Sequence, residues 1–236
     1  MILWPILFFL IIGISFMLAL RSMRDFEEIS ANPKTDYGLF LVRRKAGLDA
    51  DTLDSLGKLL LDGDLKISLE RLIKDQKAAL TIFGPKNILD KFYEKLNLLE
   101  LEDYMQDLDI RDVAIWEIGL KNTKDLSLDS KNEIFEHLSH LDKDDQFFWQ
   151  VVLGPVKKNG SLVFRTQIRA VTLAKDPGRR KMIVEIFQDL KFGELEKIPR
   201  IFSSPQMLDF YRLRSLTKDS SGPVLTGRGI IHLLKV

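Results

Sequence analysis

The sequence contains no cysteine and only three histidines among its 236 residues. Without cysteine the chain forms no disulfide, has no thiolate nucleophile and cannot build a zinc or iron–sulfur site on thiolates. It also has no excess of charge of one sign, since 35 Lys and Arg balance 34 Asp and Glu to a formal net charge of +1. A balanced chain creates no overall field that would draw it to nucleic acid. Hydrophobic residues make up 45% of the chain and charged residues 29%, which indicates a folded protein rather than a disordered or polytopic membrane chain.

One long uncharged run stands at the N-terminus, over residues 1–20. A helix of this length spans roughly the 30 Å hydrocarbon core of a bilayer, with Trp4 at the headgroup level. No basic residue precedes the run, and it is longer than the apolar core of about 7–15 residues in a signal peptide. Arg21 and Arg24 follow it, and Lys and Arg favour the cytoplasmic side. The sequence therefore predicts a retained anchor and a single-pass protein of the cell membrane, with the bulk of the chain in the cytoplasm.

The rest of the chain repeats one order of elements twice. Hydrophobic periodicity predicts strands at 37–44, 66–74, 78–83, 98–105, 113–121, 147–153, 162–173 and 195–202. Helices are expected over 49–62 and from Asn87, from Ser127 or Asp129, and from Asp176. Each half thus reads β-α-β-β-α-β, the order of a ferredoxin-like sandwich. The predicted fold is α+β, with an N-terminal transmembrane helix followed by two tandem ferredoxin-like units.

This interpretation divides the chain into five segments. They are an anchor at 1–24, a linker at 25–36, a first unit at 37–107, a second unit at 108–203 and a C-terminal tail at 204–236. The tail carries one further helix signal, at 207–216, and its last residues are apolar enough to pack against the units.

The sequence offers little catalytic chemistry. It contains no glycine-rich loop leading into Lys and Ser or Thr, and no G-x-S-x-G elbow. His137 and His140 lie three residues apart on a predicted helix, a spacing at which two imidazoles can share a metal, but no further ligand is placed with them. We interpret the pair as the polar flank of a helix. The sequence predicts neither an enzyme nor a bound cofactor or metal.

Basic clusters are the remaining candidate sites. They could contact an anion or nucleic acid, or simply be solvated surface, and they comprise Lys157, Lys158, Arg179, Arg180 and Lys181. Phe40 and Phe164 lie on predicted strands, where exposed aromatic rings could stack on bases. The two-residue period favours the core for them, as it does for Trp149.

Several stretches together carry a family resemblance. They are Tyr37–Arg43, Ala78–Gly84, Phe147–Pro155, Phe164–Ala170 and Val224–Leu234. Their pattern resembles the N-terminal region of conjugative, type IV secretion-like ATPases of the HerA/TraG class from bacteria. In those proteins a membrane-anchored segment precedes tandem α+β modules and then the motor domain. The last stretch is similar to the segment before that motor, so the resemblance implies no catalytic residue and no ATP hydrolysis for this sequence.

These observations lead to two expectations about function. The first is a membrane-anchored assembly or adaptor protein of a type IV secretion or conjugative DNA-transfer apparatus. Its partners would be the lipid bilayer and other subunits of a membrane complex, such as a separate ATPase. The alternative is a membrane-tethered nucleic-acid-binding module that uses a ferredoxin-like sheet.

Overall fold

The structure is a computed structural model that describes residues 10–17, 36–74, 77–120, 141–189, 195–198, 204–216 and 222–234. Its strands are β1 (Tyr37–Val42), β2 (Ile67–Lys74), β3 (Lys77–Pro85), β4 (Leu98–Leu101), β5 (Val113–Leu120), β6 (Gln146–Lys158), β7 (Ser161–Leu173), β8 (Leu195–Lys197) and β9 (Val224–Leu225). Its helices are α1 (residues 10–17), α2 (Ala50–Leu61), α3 (Lys86–Leu89), α4 (Tyr93–Leu96), α5 (Pro177–Asp189), α6 (Ser204–Arg212) and α7 (Gly227–Leu234).

Local signals account for most of these elements. Helix α2 begins after Asp49, whose side chain accepts a hydrogen bond of 2.7 Å from the backbone N–H of Thr52. Asp49 is therefore the N-cap, and the helix predicted over 49–62 spans Ala50–Leu61. The long β6–β7 hairpin turns at Asn159 and Gly160, which both have positive φ. A two-residue turn of this kind matches the twist of the strands, and Asn-Gly is a sequence that strongly favours it.

The nine strands in the described ranges all belong to one sheet. Eight follow each other in the order β4-β1-β3-β2-β6-β7-β5-β8, and the short β9 pairs with β7. Every pairing is antiparallel. The protein is thus a mixed α+β fold built on a single large antiparallel sheet.

The prediction of two tandem ferredoxin-like units is wrong, because the strands assigned to the two units form one continuous sheet. Strands β2 and β6, which the sequence assigns to different units, pair along their length from Ile67 opposite Leu153 to Lys74 opposite Gln146. An edge strand with unpaired N–H and C=O groups readily accepts another strand, and here the two edges satisfy each other. The segment boundaries at 24, 36, 107 and 203 stay predictions.

The predicted membrane anchor is also corrected. Only residues 10–17 of it are described, and they are helical. Nowhere in the described ranges is there a helix long and apolar enough to cross a membrane. The predictions of a transmembrane helix and of single-pass membrane localisation are therefore wrong on this finding. Trp4, Arg21 and Arg24 lie outside the described residues.

Helices cover one face of the sheet, which we call the helix face. Trp149, Val151 and Ile168 point to this face by the two-residue period and are fully buried beneath α2, α5 and α7. Helix α2 approaches β7 so closely that a Cβ on Gly57 would lie 2.5 Å from the ring of Phe164. The burial predicted for Trp149 is confirmed.

The opposite face, which we call the tail face, is covered by the short helical turn Tyr104–Asp107 and by α6. Its apolar part includes Phe148 and Val171 of the sheet and Met207 and Tyr211 of α6. The chain after α6 then returns to the helix face, where α7 packs against α2. Arg71 donates a hydrogen bond of 2.9 Å to the carbonyl of Leu234, near the end of α7.

Removing the side chain of Trp149 tests this packing. A buried Trp changed to Ala typically costs about 3–5 kcal/mol, so Trp149→Ala should sharply lower the urea midpoint of unfolding. The control is Lys157→Ala, an exposed position on the same strand, where a change within about 0.5 kcal/mol is expected. Equal midpoints for the two variants would contradict the buried position of Trp149.

Candidate functional site

An ion pair lies buried at the centre of the tail face. Glu70 of β2 is 0% exposed and Arg214, two residues beyond α6, is 2% exposed. The Nε of Arg214 donates to Oε1 of Glu70 at 2.8 Å, and its Nη1 donates to Oδ2 of Asp103 at 2.7 Å. The guanidinium carbon also lies 3.8 Å from the ring centroid of Phe83. One side chain of the tail therefore joins two carboxylates and an aromatic ring of the sheet region.

Two tyrosines close the network on its other side. The hydroxyl of Tyr104 donates to Oε2 of Glu70 at 3.0 Å and lies 2.9 Å from the hydroxyl of Tyr211. The hydroxyl of Ser68 donates to Oε1 of the same carboxylate at 2.8 Å. The Glu70 carboxylate thus accepts hydrogen bonds on both oxygens, as a buried charge requires.

A second arginine extends the network across the sheet. Gln150 of β6 donates to Glu70 and accepts a hydrogen bond of 3.1 Å from Nη1 of Arg169 on β7. Arg169 is 0% exposed and also donates at 2.8 Å to the backbone carbonyl of Ser215. The network as a whole contains two carboxylates, Glu70 and Asp103, and two guanidinium groups, so its formal charges cancel.

The pKa values follow from burial and charge. Burial alone would lower the pKa of Arg214, but the charge of Glu70 and the hydrogen bonds to both carboxylates raise it. Burial would likewise raise the pKa of Asp103, but the hydrogen bond and charge of Arg214 outweigh that effect and lower it. Burial lowers the pKa of Arg169 to about 10, an effect that the charge of Glu117 offsets only in part. Both guanidinium groups are therefore charged at neutral pH.

The two tyrosines are held in their neutral form. Burial, and then the negative charge of Glu70, raise the pKa of Tyr104 and of Tyr211 well above the usual value. Both hydroxyls therefore keep their protons at neutral pH and act as hydrogen-bonding groups. With its carboxylates engaged by guanidinium groups, this network serves to attach the tail to the sheet.

Beyond the network the tail crosses to the other face of the sheet. The hydroxyl of Thr166 donates a hydrogen bond of 2.6 Å to the carbonyl of Pro223. The preceding Gly222 lies against the backbone carbonyl of Thr166 so closely that a Cβ would clash with it. Only glycine allows this approach, and strand β9 then pairs with β7 at Phe164 and Arg165.

An open groove borders the network where α6 meets the segment before β5. It has a volume of about 490 Å³ and is lined by Leu108, Asp109, Ile110, Pro205, Leu208, Asp209 and Arg212. Arg212 holds its two walls together, because its guanidinium donates to the carbonyls of Met105 and Leu108. Hydrogen bonds from Arg111 lower the pKa of Asp109 to about 2, so this carboxylate stays charged at neutral pH.

The basic residues that the sequence singled out are not brought to this groove. Arg179 contacts Asp145 at 2.7 Å and Asp142 at 3.1 Å, and Arg180 donates to the carbonyl of Ala174. Lys181 forms a more exposed pair with Glu185 at 3.7 Å. Two of the three cations at the start of α5 therefore fix that helix to neighbouring loops.

The other predicted site residues lie elsewhere. Lys157 and Lys158 are exposed beside the turn of the β6–β7 hairpin. His137 and His140 lie outside the described residues. No group of three or more potential metal ligands occurs in the portion that the structure describes.

Sequence reasoning missed the network. Glu70 shares its face of β2 with Ser68 and Lys74, a polar pattern typical of a solvent-facing side, yet Ser68 and Glu70 are both buried. Arg214 lies 144 residues away in a segment with no distinctive pattern. Neither the buried acid nor its partner can be named from local sequence.

Comparison with known proteins leaves the fold and the groove as the basis for function. The chain matches no protein-family model, and no curated protein matches it significantly. The resemblance to HerA/TraG-class ATPases stays a prediction.

Breaking the Glu70–Arg214 pair should be costly. Arg214→Met leaves a buried carboxylate without its cation, a change that typically costs about 3–5 kcal/mol. Arg111→Met is the control, because Arg111 forms a solvent-exposed pair with Asp109 and such pairs contribute little to stability. The free energy of unfolding, measured in urea, should separate the two variants.

Glu70→Gln combined with Arg214→Met should lower the free energy of unfolding by less than the sum of the two single changes. Equal costs for Arg214→Met and Arg111→Met would contradict the buried pair.

The tyrosines predict a specific response to alkaline pH. The pKa of Tyr211 is higher in the folded protein than the unfolded value of about 10. The neutral hydroxyl therefore stabilises the fold below pH 10, and this stabilisation is lost as the pH rises towards the folded-state pKa. Tyr211→Phe should destabilise the protein by about 0.5–1.5 kcal/mol at neutral pH through the lost hydrogen bond. The gap in stability between the wild type and Tyr211→Phe should narrow as the pH rises above about 10, because the unfolded chain then loses a proton that the folded protein keeps. A difference in urea midpoint that stays constant above about pH 10 would argue against the raised pKa.

Proposed function

We propose that this chain is an assembly or adaptor module that binds another protein through the groove between α6 and residues 108–110. The groove carries the proposal because the tail is fixed in place there by Arg212 before any partner arrives. A preorganised surface loses little conformational entropy on binding and so favours specific association.

The lining of the groove suits a protein partner. Ile110 is 37% exposed and stands beside Leu208 and Pro205, so the groove offers apolar surface. Asp109 and Asp209 add negative charge to the same lining. Protein interfaces combine apolar and charged side chains in this way, and this lining favours an apolar side chain flanked by Lys or Arg.

The nucleic-acid alternative has less support from the described residues. Phe40 and Phe164, the rings proposed for base stacking, are 3% and 0% exposed. Stacking needs an accessible ring face, and the groove lining holds two carboxylates against one guanidinium, a balance that disfavours phosphates. We propose further that the protein partner belongs to a type IV secretion or DNA-transfer apparatus, which rests on the sequence resemblance alone.

Site-specific cross-linking tests the groove. A photoreactive phenylalanine analogue at Ile110 should cross-link to one defined protein in the native host. The matched control is the same analogue at Met182 of α5, because this side chain is 38% exposed and lies away from the groove. The product from Ile110 should be absent at Met182, and it should vanish when Asp209→Lys is combined with the analogue at Ile110.

The outcomes separate the two functions. Co-purification of the cross-linked protein with the wild type, and its loss in the Asp209→Lys variant, would support the adaptor function. A salt-dependent shift of labelled single-stranded DNA by the wild type, without a protein cross-link, would favour the nucleic-acid alternative. Equal cross-linking from Ile110 and Met182 would reject the groove.

A further inference from the structure

Strand β4 forms one end of the sheet. It pairs with β1 from Leu101 opposite Leu39 to Leu98 opposite Val42, and no other described strand pairs with it. In an antiparallel ladder every second residue directs its N–H and C=O away from the paired strand. The outer side of β4 therefore presents backbone groups that an additional strand could bond.

The side chains of this edge alternate in character. Leu99 and Leu101 point to one face and are 37% and 36% exposed. Glu100 and Glu102 alternate with them and are exposed as well. The edge is thus apolar on one face and acidic on the other, a pattern that an added strand would meet with its own alternating side chains.

A second copy of this chain fits the edge poorly. Antiparallel pairing of two β4 strands that places Leu99 opposite Leu101 also places Glu100 opposite Glu100. Like charges directly opposite each other on neighbouring strands are destabilising. The Nζ of Lys86 lies 2.9 Å from Glu100 and 3.4 Å from Asp36 in the same chain, so this one cation does not offset both carboxylates, and the exposed Glu102 adds a further acid. Charge complementarity therefore favours a partner strand that carries Lys or Arg where β4 carries Glu.

We propose that the β4 edge binds an extended protein segment in which apolar residues alternate with Lys or Arg. The segment adds an antiparallel or parallel strand to the sheet beyond β4. Its apolar side chains cover Leu99 and Leu101, and its cations lie opposite Glu100 and Glu102. This surface is separate from the groove at Ile110, so an experiment can reject binding at the β4 edge without rejecting binding at the groove, and the reverse.

Designed peptides test the proposal on the full-length protein. A labelled heptapeptide of alternating Lys and Val should bind with a measurable rise in fluorescence anisotropy. The alternating Glu and Val peptide, and a peptide with the four Lys and three Val in separate blocks, should bind at least tenfold more weakly. Glu102→Lys should weaken binding of the Lys-Val peptide at least tenfold. The control is Asp62→Lys, which makes the same charge change at the exposed end of α2 and should leave the peptide affinity within twofold of the wild type.

Backbone methylation distinguishes strand addition from simple charge attraction. N-methyl groups on alternate residues of the Lys-Val peptide block the N–H groups of one peptide edge only. Methylation of one set should abolish binding, and methylation of the other set should leave it within threefold. Equal binding of both methylated peptides would overturn the proposal, as would failure of the unmethylated peptide to bind. Self-association of the wild type that Leu101→Lys abolishes would overturn it in favour of a second copy.

Discussion

A buried carboxylate at the centre of the sheet is the constraint from which the tail's position follows. Glu70 is fully enclosed, and an ionised carboxylate without a partner in such a place would cost several kcal/mol. The cation that pairs with it comes from the tail, at Arg214. The tail must therefore lie across this face, and α6, the groove at Ile110 and the crossing at Gly222 take their places from that requirement.

The same network lies over the seam at which the two halves of the sheet meet. Glu70 belongs to β2, Gln150 to β6 and Arg169 to β7, so one chain of hydrogen bonds spans three neighbouring strands. Backbone pairing of β2 with β6 closes the seam, while Leu69 and Val151 pack beneath it on the helix face. Hydrogen bonds cover the β2–β6 junction on one face and apolar side chains cover it on the other, so the junction is part of the protein interior. Separating the two halves of the sheet there would expose both the polar network and the apolar side chains to water.

Short-range patterns in the sequence predicted individual elements, but they did not predict which distant strands pair. Asn159-Gly160 fixed the β6–β7 hairpin because a two-residue turn needs positive φ, and the alternation around Trp149 identified its buried face. No local pattern says whether a strand edge such as that of β2 meets solvent or another strand, so the sequence predicted two separate units. The basic start of α5 gave a misleading signal, because Arg179 is engaged with Asp142 and Asp145, which precede it by more than thirty residues.

Position, more than stability, is what a buried charge network of this kind supplies. Replacing buried ion pairs by apolar residues is often neutral or stabilising, so a gain in stability does not explain why arginines occupy these positions. Arg214 reaches Asp103, which stands between β4 and the Tyr104–Asp107 turn that leads to the groove. The segment from Leu98 to Ile110 thus carries both proposed binding surfaces, and Arg214 holds it at its midpoint. Arg214 therefore connects the tail to the segment that carries the groove and the β4 edge.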